Sequence, residues 1–480
     1  MASSKFLLLA PLLLTACNGG LLATVGPDYQ TPPLPVAKSW QAPQPHQGRT
    51  ADLLRWWDRF QDPVLNRFLV SAEKESYSVA NARARIEQAR AGLIGADSAL
   101  MPSLDASLSA SRSSFSFGGP PFERDQYQVG LQSEWEIDLF GGLARQQQAS
   151  QSQLQSRQAS WHDARVAVAV EVANAYLGYR YCEIQARQLQ ADAESRQASA
   201  KLTSLAGQQG FRSAADMALS DASAAEGQNN LLNQQGQCER SIKSLVALTA
   251  LDEAVVRQAL LEQPGVGKLP SPPAFKLDSV PARALLQRPD LAAVERDMAE
   301  AGAKIGVEQA KRFPKLSLSG NITPTLQSMN GAALALAQTW SLGPTLSLPL
   351  FDAGKRAANV ESAQAQYDAA ASNYRSKART AVKEVEDALV RLDNVARRLP
   401  QAQQAASGYR QYFQANRQLF DTGLGNLLDL ETARRNQLNA DLAVKSLEQE
   451  QVSAWIALYR AVGGGWDDAG QLNEFSVGMQ

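Results

Sequence analysis

The sequence lacks several features that would place it in common classes of protein. Its 47 basic and 48 acidic residues nearly cancel, so no nucleic-acid partner is indicated. It has only two histidines, His46 in a proline-rich segment and His162 in a polar helical pattern, which disfavours both acid–base catalysis and a zinc site. Past the N-terminus no stretch approaches eighteen consecutive apolar residues, so no membrane-spanning helix is expected. We therefore predict a protein that is not an enzyme and that binds no cofactor or metal.

The first residues have the pattern of a targeting segment. An apolar stretch too short to span a bilayer, residues 6–14, leads to the tetrapeptide LTAC, which resembles a bacterial lipobox. The resemblance implies cleavage before Cys17, covalent lipid such as palmitate on Cys17 and, because Asn18 follows instead of Asp, sorting to the outer membrane. An ordinary signal peptide that happens to contain a cysteine is the alternative. We predict a signal peptide over residues 1–16 and a lipidated, extended N-terminal arm over residues 17–60.

What the sequence contains is an internal repeat. Segments of the first half recur in the second half at offsets of 211 to 213 residues. Because the offset drifts so little over a whole half, chance is a poor explanation. The matched segments are Met101-Pro102-Ser103-Leu104 with Phe313-Pro314-Lys315-Leu316, Leu139-Phe140 with Leu350-Phe351, Arg145 with Arg356, Gly210 with Gly423, and Asp216 with Asp429.

Both halves show the same order of patterns, which is a helix, two alternating strands, one very long helix, a glycine-containing turn and another helix. In the first half the elements are predicted near 62–99, 103–117, 126–140, 145–207 and 213–249. In the second half they are predicted near 290–312, 315–327, 338–351, 356–420 and 426–462. The resulting domains are a first structural repeat over 61–261, a Pro- and Gly-rich connector over 262–285, a second structural repeat over 286–464 and a C-terminal tail over 465–480.

The strand near 126–140 has two unlike faces. One face alternates Tyr, Val, Leu, Trp and Ile, whereas the other carries the carboxylates of Glu134, Glu136 and Asp138. Since carboxylates are not tolerated against lipid, this acidic face is predicted to line the lumen of a barrel, and the apolar face is predicted to contact lipid. An ordinary half-buried strand of a soluble sheet is the alternative.

Four strands per chain leave two open edges, which lipid does not tolerate, so several chains are predicted to share one barrel. Eight strands would nearly fill their interior with side chains, whereas the twelve strands of a trimer leave a water-filled passage. The predicted fold is mainly α with a membrane β-barrel. Duplicated strand-strand-long-helix-hairpin halves form a trimeric 12-stranded β-barrel, four strands per chain, that continues into a long periplasmic α-helical barrel. Gly141, Gly142 and Gly354 permit the turn from strand to helix, and Asp352 is positioned to cap the helix that follows.

Five segments together identify a family resemblance that covers nearly the whole mature chain. They are GPDYQTPP (26–33), WEIDLFGGLAR (135–145), RPDLAAVE with AKIGVEQAKRFPKLSLSG (288–320), LPLFDAGKR (348–356) and LYRAVGGGW (458–466). On these residues the chain resembles the outer membrane factor family of tripartite efflux systems, the TolC and OprM type, in its lipoprotein branch.

The resemblance implies an outer-membrane channel for multidrug export or secretion, which gives substrates a passive, trimeric exit duct from the periplasm to the outside. The implied partners are two further copies of the chain, outer-membrane lipid, a periplasmic adaptor protein and an inner-membrane pump, and docking to these last two opens the duct. A periplasmic lipoprotein adaptor or helical scaffold of an export complex is the alternative. An adaptor should show one hairpin flanked by compact β domains, whereas this chain has two equivalent hairpins and four amphipathic strands.

The resemblance also implies roles for the two helical turns. Adaptor contact is expected at the hairpin tips, at Gly210, Phe211, Gly423, Leu424 and Gly425. In the OprM-like pattern a Leu and an Asp one helical turn apart help to close the periplasmic gate. Here Leu428 matches the Leu, Thr432 stands in place of the Asp, and Asp429 and Glu431 are expected to supply the charge instead. The alternative is that these acids are exposed groups that favour the dipole at a helix N-terminus.

Two cysteines remain besides Cys17. Cys182 and Cys238 each lie 28 residues from Gly210, so an antiparallel hairpin that turns there places them at the same height. The periplasm permits disulfides, and we predict a bridge between them. Two free, packed thiols are the alternative. The counterparts in the second half, Val395 and Gln451, are not cysteines.

Overall fold

The computed structural model describes residues 24–34, 36–43, 53, 55–116, 118–262, 266–277 and 281–465. The signal peptide and Cys17 lie outside the described residues, as does the C-terminal tail after residue 465. The chain forms two compact units. The first contains residues up to 33, 85–158 and 293–374, and the second contains 34–84, 159–292 and 375 onward. Each unit therefore combines segments of both predicted repeats.

The first unit contains one antiparallel sheet of four strands in the order β1-β2-β3-β4. The strands are β1 Ser103–Phe115, β2 Phe122–Ile137, β3 Lys315–Met329 and β4 Ala335–Ser347. β1 and β2 belong to the first repeat, and β3 and β4 to the second. Both connecting turns are shorter than the predicted strand ranges imply, because β2 begins at Phe122 instead of near 126, and β3 and β4 extend to Met329 and from Ala335.

Most of the remaining chain is helical. The helices are α1 Pro63–Glu75, α2 Tyr77–Ser98, α3 Gly142–Gln208, α4 Ala214–Thr249, α5 Glu253–Leu260, α6 Pro281–Leu285, α7 Pro289–Ala310, α8 Lys355–Asp421 and α9 Leu427–Ala461. α3 and α8 have 67 residues each, hence about 100 Å at about 1.5 Å per residue. Among the described residues, no helix has the length and apolar character required to cross a membrane.

The predicted helix near 62–99 is two helices. Asp62 begins α1, since its carboxylate accepts hydrogen bonds from the backbone N–H groups of Val64 and Leu65, both at 3.1 Å, and Pro63 suits the first helical position. Ser76 has an extended backbone (ψ 124°) and ends α1 before α2 begins. A single serine between two helix-forming stretches is a weak signal, which is why periodicity alone did not separate them.

The core of the second unit joins the N-terminal segment to the helices. Trp56 is fully buried and stacks on Tyr459 of α9 with ring centroids 4.6 Å apart. Tyr176 of α3 donates a hydrogen bond to Asp62 at 2.7 Å, and the buried Arg180 donates to the Tyr176 hydroxyl at 2.9 Å. Because buried polar groups are stable only with partners, this chain of hydrogen bonds fixes α1 against α3.

Candidate functional site

The four strands share a register that separates apolar from polar side chains. Leu131 lies opposite Ala106 and Ile322, and Ile322 lies opposite Trp340. Trp135, Ile137, Leu316 and Leu318 at one end of this face are half-buried, but its other eleven large side chains are 40% to 82% exposed, although a soluble sheet would cover such a face. They are Leu104, Leu108, Tyr127, Val129, Leu131, Ile322, Leu326, Leu336, Trp340, Leu342 and Leu346.

The apolar face has the height of a membrane band. From Ile137 to Tyr127 the strand β2 rises about 33 Å at about 3.3 Å per residue, and a strand tilt of about 40° reduces this to about 25 Å along the membrane normal. Beyond Tyr127 the same face becomes charged, because Arg112 forms ion pairs with Glu123 and with Asp125, the latter at 3.6 Å. These dimensions and this boundary fit contact with lipid.

The opposite face is polar and carries two of the three predicted lumenal acids. Glu134 is exposed and lies opposite Ser103 and Ser319. The Glu136 carboxylate forms an ion pair with the Lys315 ammonium at 2.7 Å, so its charge is partly neutralised. The unlike environments give Glu134 the stronger influence on ions near this face.

The third predicted lumenal acid, Asp138, requires a correction. β2 ends at Ile137, and the Asp138 carboxylate accepts a hydrogen bond from the backbone N–H of Ala144 at 2.8 Å, in the first turn of α3. Asp138 is therefore a helix cap at the strand-to-helix joint and not part of the strand face. Alternation predicted a lumenal position because it cannot show where a strand ends.

The second joint is built in the same way. The Asp352 carboxylate accepts from the backbone N–H groups of Gly354 and Arg356, both at 3.1 Å, and from the Arg356 guanidinium at 2.8 Å. Asp352 therefore satisfies donors at the start of α8, as its position in the sequence predicts. Gly354 has a positive φ of 89°, and so does Ala353 at 55°, a conformation that side chains rarely adopt.

The first joint also holds the N-terminal arm. Arg145 is buried, and its guanidinium donates to the carbonyls of Val25 at 3.0 Å and Gly26 at 3.1 Å and pairs with Asp28 at 2.8 Å. Gly141 has a positive φ of 73°, and a Cβ there would lie 2.6 Å from a side-chain atom of Thr24. The arm and the joint therefore fit together only with glycine at this position.

The two turns that connect α3 to α4 and α8 to α9 have the same construction. Phe211 N–H bonds to the Ala206 carbonyl at 2.8 Å and Leu424 N–H to the Leu419 carbonyl at 2.9 Å, and each preceding glycine has a positive φ, 79° at Gly210 and 77° at Gly423. This is the Schellman arrangement that ends a helix. Phe211 and Leu424 project from the turns, each 81% exposed, although large apolar side chains are normally covered.

Helix caps follow both turns. The Ser213 hydroxyl accepts from the Asp216 N–H at 3.1 Å and begins α4, and the Asn426 side chain accepts from the Asp429 N–H at 2.8 Å and begins α9. The Asp429 carboxylate in turn accepts from the Asn426 amide at 2.6 Å. Asp429 is thus an exposed capping residue, which agrees with the alternative that the sequence left open.

The predicted gate residues do not form one cluster. Leu428 is 61% exposed and Thr432, one turn further along α9, is half-buried, so these two share a face. Glu431 lies on another face. It is buried, accepts a hydrogen bond from the Ser223 hydroxyl of α4 at 2.7 Å and pairs with Arg434. Glu431 is therefore an internal contact between the two hairpins, which corrects its assignment to the charged residues of the periplasmic gate.

Sequence reasoning missed Arg434 altogether. Its guanidinium is buried and donates to the hydroxyls of Ser195 at 3.2 Å and Ser199 at 2.9 Å on α3. A second buried pair, Arg196 with Asp192 at 2.7 Å, also reaches Ser223. The only sequence signal was the spacing of three residues between Glu431 and Arg434, which is equally common on solvated helix faces.

The structure brings Cys182 and Cys238 together. They form a disulfide between α3 and α4 with Cα atoms 5.5 Å apart, across 56 residues of sequence. Equal distances from the turn at Gly210 predicted this pairing. Val395 and Gln451 occupy the matching places in the second half, so the second hairpin has no covalent link there.

In the described part of the chain, no group of three or more His, Cys, Asp or Glu side chains is arranged to hold a metal ion. His162 is buried on α3, and burial together with the nearby charge of Arg165 lowers its pKa to about 4. It is therefore neutral near pH 7. His46 lies outside the described residues.

Comparisons with known proteins cover nearly the whole chain. A family model described as outer membrane efflux protein matches residues 68–251 and 280–464. The outer membrane protein OprJ of Pseudomonas aeruginosa is 30% identical over 475 residues, 97% of this chain and 96% of that protein. The solvent efflux pump outer membrane protein SrpC of Pseudomonas putida is 26% identical over 453 residues, 92% of this chain and 95% of that protein.

Solved structures show the same arrangement of elements. The outer-membrane channel OprN superposes with a TM-score of 0.82 at 27% identity and covers 92% of this chain and 100% of that chain. The CmeC outer membrane channel of Campylobacter jejuni has a TM-score of 0.82 at 23% identity, with 95% and 98% covered, and shares the fold. The likeness therefore extends over both halves of the sequence.

Proposed function

The chain belongs to the outer membrane efflux protein family, and from this premise we propose that three copies form a passive exit duct that opens on docking to a periplasmic adaptor and an inner-membrane pump. The chain is an outer-membrane efflux channel protein and not an adaptor. The observation that carries the proposal is the two-faced sheet. Its exposed apolar face suits lipid and its polar face suits water, whereas its outermost strands lack the partners that a membrane requires.

The trimer follows from the number of strands. A barrel of four strands cannot close, and eight strands are nearly filled by their own side chains. Three copies supply twelve strands, which leave a passage lined by Ser, Thr and Gln together with Asp105, Arg124, Glu134 and the Glu136–Lys315 pair. This lining is polar and mildly acidic, so small cations should pass more readily than anions.

The hairpin turns are the proposed adaptor contacts. Phe211 and Leu424 are exposed apolar side chains on rigid turns, and a partner helix with an apolar groove would cover them. Gly210, Gly423 and Gly425 shape the turns. A Cβ at position 425 would lie 2.9 Å from the backbone N of Phe420, so a side chain there would distort the contact surface.

The proposed gate lies on the exposed face of α9, with Leu428 and Thr432 one turn apart and Asp429 at the cap. Three copies of this face around one axis would bring Leu428 side chains together, and apolar constrictions close passages by excluding water. Opening then requires the second hairpin to move. The Glu431–Arg434 contacts to the first hairpin must adjust in that movement.

Lipid on Cys17 is proposed as a second attachment to the outer membrane. The motif around Cys17 supports it, and the bonds between Arg145 and the arm hold the described residues nearest to Cys17 at the strand-to-helix joint. No cofactor is proposed apart from this covalent lipid.

The proposal is tested by sizing the detergent-extracted protein by native mass spectrometry and then recording its conductance in a planar bilayer. We expect trimers that give cation-selective channels. Monomers without conductance would instead support a scaffold role and contradict the shared barrel.

A further inference from the structure

The two strand-to-helix joints have matching sequences but unlike surroundings. At the first joint the Phe140 ring stacks on Phe313 with centroids 4.6 Å apart and an interplanar angle of 21°. At the second joint Leu350 and Phe351, the counterparts of Leu139 and Phe140, are 88% and 90% exposed. These are the most exposed large apolar side chains among the described residues. Such a patch indicates a missing partner.

The missing partner can be identified from the repeat. Phe313, which covers Phe140, lies two residues before the start of β3 in the second half. Its counterpart in the first half is Met101, which stands just before β1 and is 68% exposed. Phe351 and Met101 lie next to β4 and β1, the strands at opposite edges of the sheet, so they cannot meet within one chain. Two copies side by side would bring them together.

We propose that Leu350 and Phe351 of one copy pack against Met101 of the next, which repeats between chains the contact that Phe140 makes with Phe313 within the chain. The inference rests on the proposed trimer and specifies which surfaces of neighbouring copies are in contact. It makes every contact around the barrel nearly equivalent, whether it lies within a chain or between chains.

The helices beside the joints support the same pairing. α7 has helical neighbours in its own chain, and no residue from 293 to 310 is exposed. The matching part of α2, residues 85–98, is mostly exposed, and Ile94 is 62% exposed. On α8, Ala363 is the one buried residue between 355 and 370, whereas the matching part of α3 has buried residues in every turn. The uncovered helix faces therefore lie on the two elements that the proposal brings together.

The repeat also predicts the strand register between copies. Within the chain Glu134 of β2 lies opposite Ser319 of β3. The counterpart of Glu134, at an offset of 211, is Thr345 of β4, and the counterpart of Ser319, at an offset of 212, is Ser107 of β1. Thr345 and Ser107 both belong to the polar face, so this register keeps the apolar residues of the two copies on one side. A shift by one residue would place polar side chains against lipid.

Disulfide trapping tests this register. In the full-length protein, Ser107→Cys is combined with Thr345→Cys and the membranes are oxidised. Directly opposite residues lie about 4.5–5.5 Å apart, within disulfide range, whereas the two edges of one sheet lie about 14 Å apart. Any bond must therefore join two copies. The matched control combines Ser107→Cys with Gly343→Cys, a diagonal pair on the same face at about 7–8 Å.

We expect covalent species of up to three copies on non-reducing gels for the Ser107/Thr345 pair, and at least tenfold less for the Ser107/Gly343 pair. Each single-cysteine variant is sized by native mass spectrometry, so a failure to fold is recognised independently. Trimers that link through Gly343, or do not link at all, would overturn the proposed register and leave the trimer standing. If the Ser107/Thr345 pair gives covalent species that end at two or four copies, the contact between β4 and β1 of neighbouring copies is supported and the trimer is overturned.

Discussion

At the scale of single residues, burial separates roles that the sequence could not distinguish. Asp429 lies in the first turn of α9 and Glu431 only two residues later, yet Asp429 caps the helix in solvent and Glu431 is buried against Arg434 and Ser223. Their positions in the sequence show only that both lie near a helix N-terminus. Which of them turns inward depends on the neighbouring hairpin, and that information is not local.

Arg434 should contribute strongly to stability because it neutralises a buried carboxylate. Arg434→Met is expected to lower the free energy of unfolding by about 3 kcal/mol, since it leaves Glu431 buried without its partner. Denaturant midpoints measure the loss. The adjacent, exposed Arg435 is the matched control, and Arg435→Met should change stability by less than about 0.5 kcal/mol. Adding Glu431→Leu to Arg434→Met should recover most of the loss, and equal losses in the single and double variants would contradict the pairing.

His162 should make stability depend on pH. Its pKa in the folded protein is lowered to about 4 by burial and by Arg165, whereas an unfolded histidine titrates near 6.5. The stabilisation is therefore fully present above pH 6.5 and is lost as the pH falls toward 4, because the unfolded chain binds the proton more readily. Thermal melting of the wild type and of His162→Gln across this range checks the prediction. The variant should show a flatter profile, and parallel profiles would exclude His162 as the source.

At the scale of elements, the sequence predicts most of the fold because periodicity and turn chemistry agree. Long Ala- and Gln-rich stretches became α3 and α8, and glycines became the turns at 210 and 423. Pro400 lies inside α8 but is exposed, so the helix continues past it with the support of neighbouring helices. The break at Ser76 and the end of β2 before Asp138 were missed, because both depend on local capping hydrogen bonds and not on apolar pattern.

The disulfide should stabilise the first hairpin specifically. Cys182→Ser is expected to lower the free energy of unfolding by about 4 kcal/mol, because the bond closes a loop of 56 residues and restricts the unfolded chain. Denaturation of the variant and of the wild type with and without reductant measures the effect. Reductant should reproduce the loss in the wild type and have little effect on the variant. Mass spectra in which both thiols of the unreduced protein are alkylated would show that no disulfide joins Cys182 and Cys238.

At the scale of the whole molecule, the repeat determines which contacts can be completed within one chain and which need a second copy. Contacts between β2 and β3, and between Phe140 and Phe313, are complete within the chain, whereas the equivalent surfaces at Met101 and Phe351 remain exposed. The sequence could indicate that copies must associate, because open strand edges are not stable in lipid. The residues that meet between copies are identified by comparing the exposure of matched positions in the two halves. Only the structure provides these exposures.

Phe351 should matter for assembly more than an equally exposed phenylalanine elsewhere. Phe351→Ser is expected to weaken the trimer by about 1.5–3 kcal/mol per contact, because the side chain would no longer be buried between copies. Phe211→Ser is the matched control, since Phe211 is also exposed but lies at a hairpin turn. Native mass spectrometry at increasing detergent concentration measures the fraction of trimer. Equal dissociation of the two variants would count against the proposed contact.

The passage should owe its ion preference mainly to Glu134 and Asp105, the carboxylates of the polar face outside the Glu136–Lys315 pair. Glu134→Gln is expected to reduce the ratio of cation to anion permeability more than Glu136→Gln, because Lys315 already neutralises much of the Glu136 charge. Reversal potentials in salt gradients measure the ratio. Equal reductions in the two variants would contradict the neutralisation of Glu136 by Lys315, and no change in either would show that these carboxylates do not control ion passage.

The position of the disulfide has a consequence for biogenesis. Both cysteines belong to the first half of the chain and lie on consecutive helices, α3 and α4. During export from N- to C-terminus, an oxidising enzyme can therefore close the first hairpin while the second half has yet to arrive. The second hairpin has no disulfide at the matching positions, so packing contacts alone must stabilise it as it forms. Cells deficient in thiol oxidation should consequently accumulate the protein at an early, protease-sensitive stage.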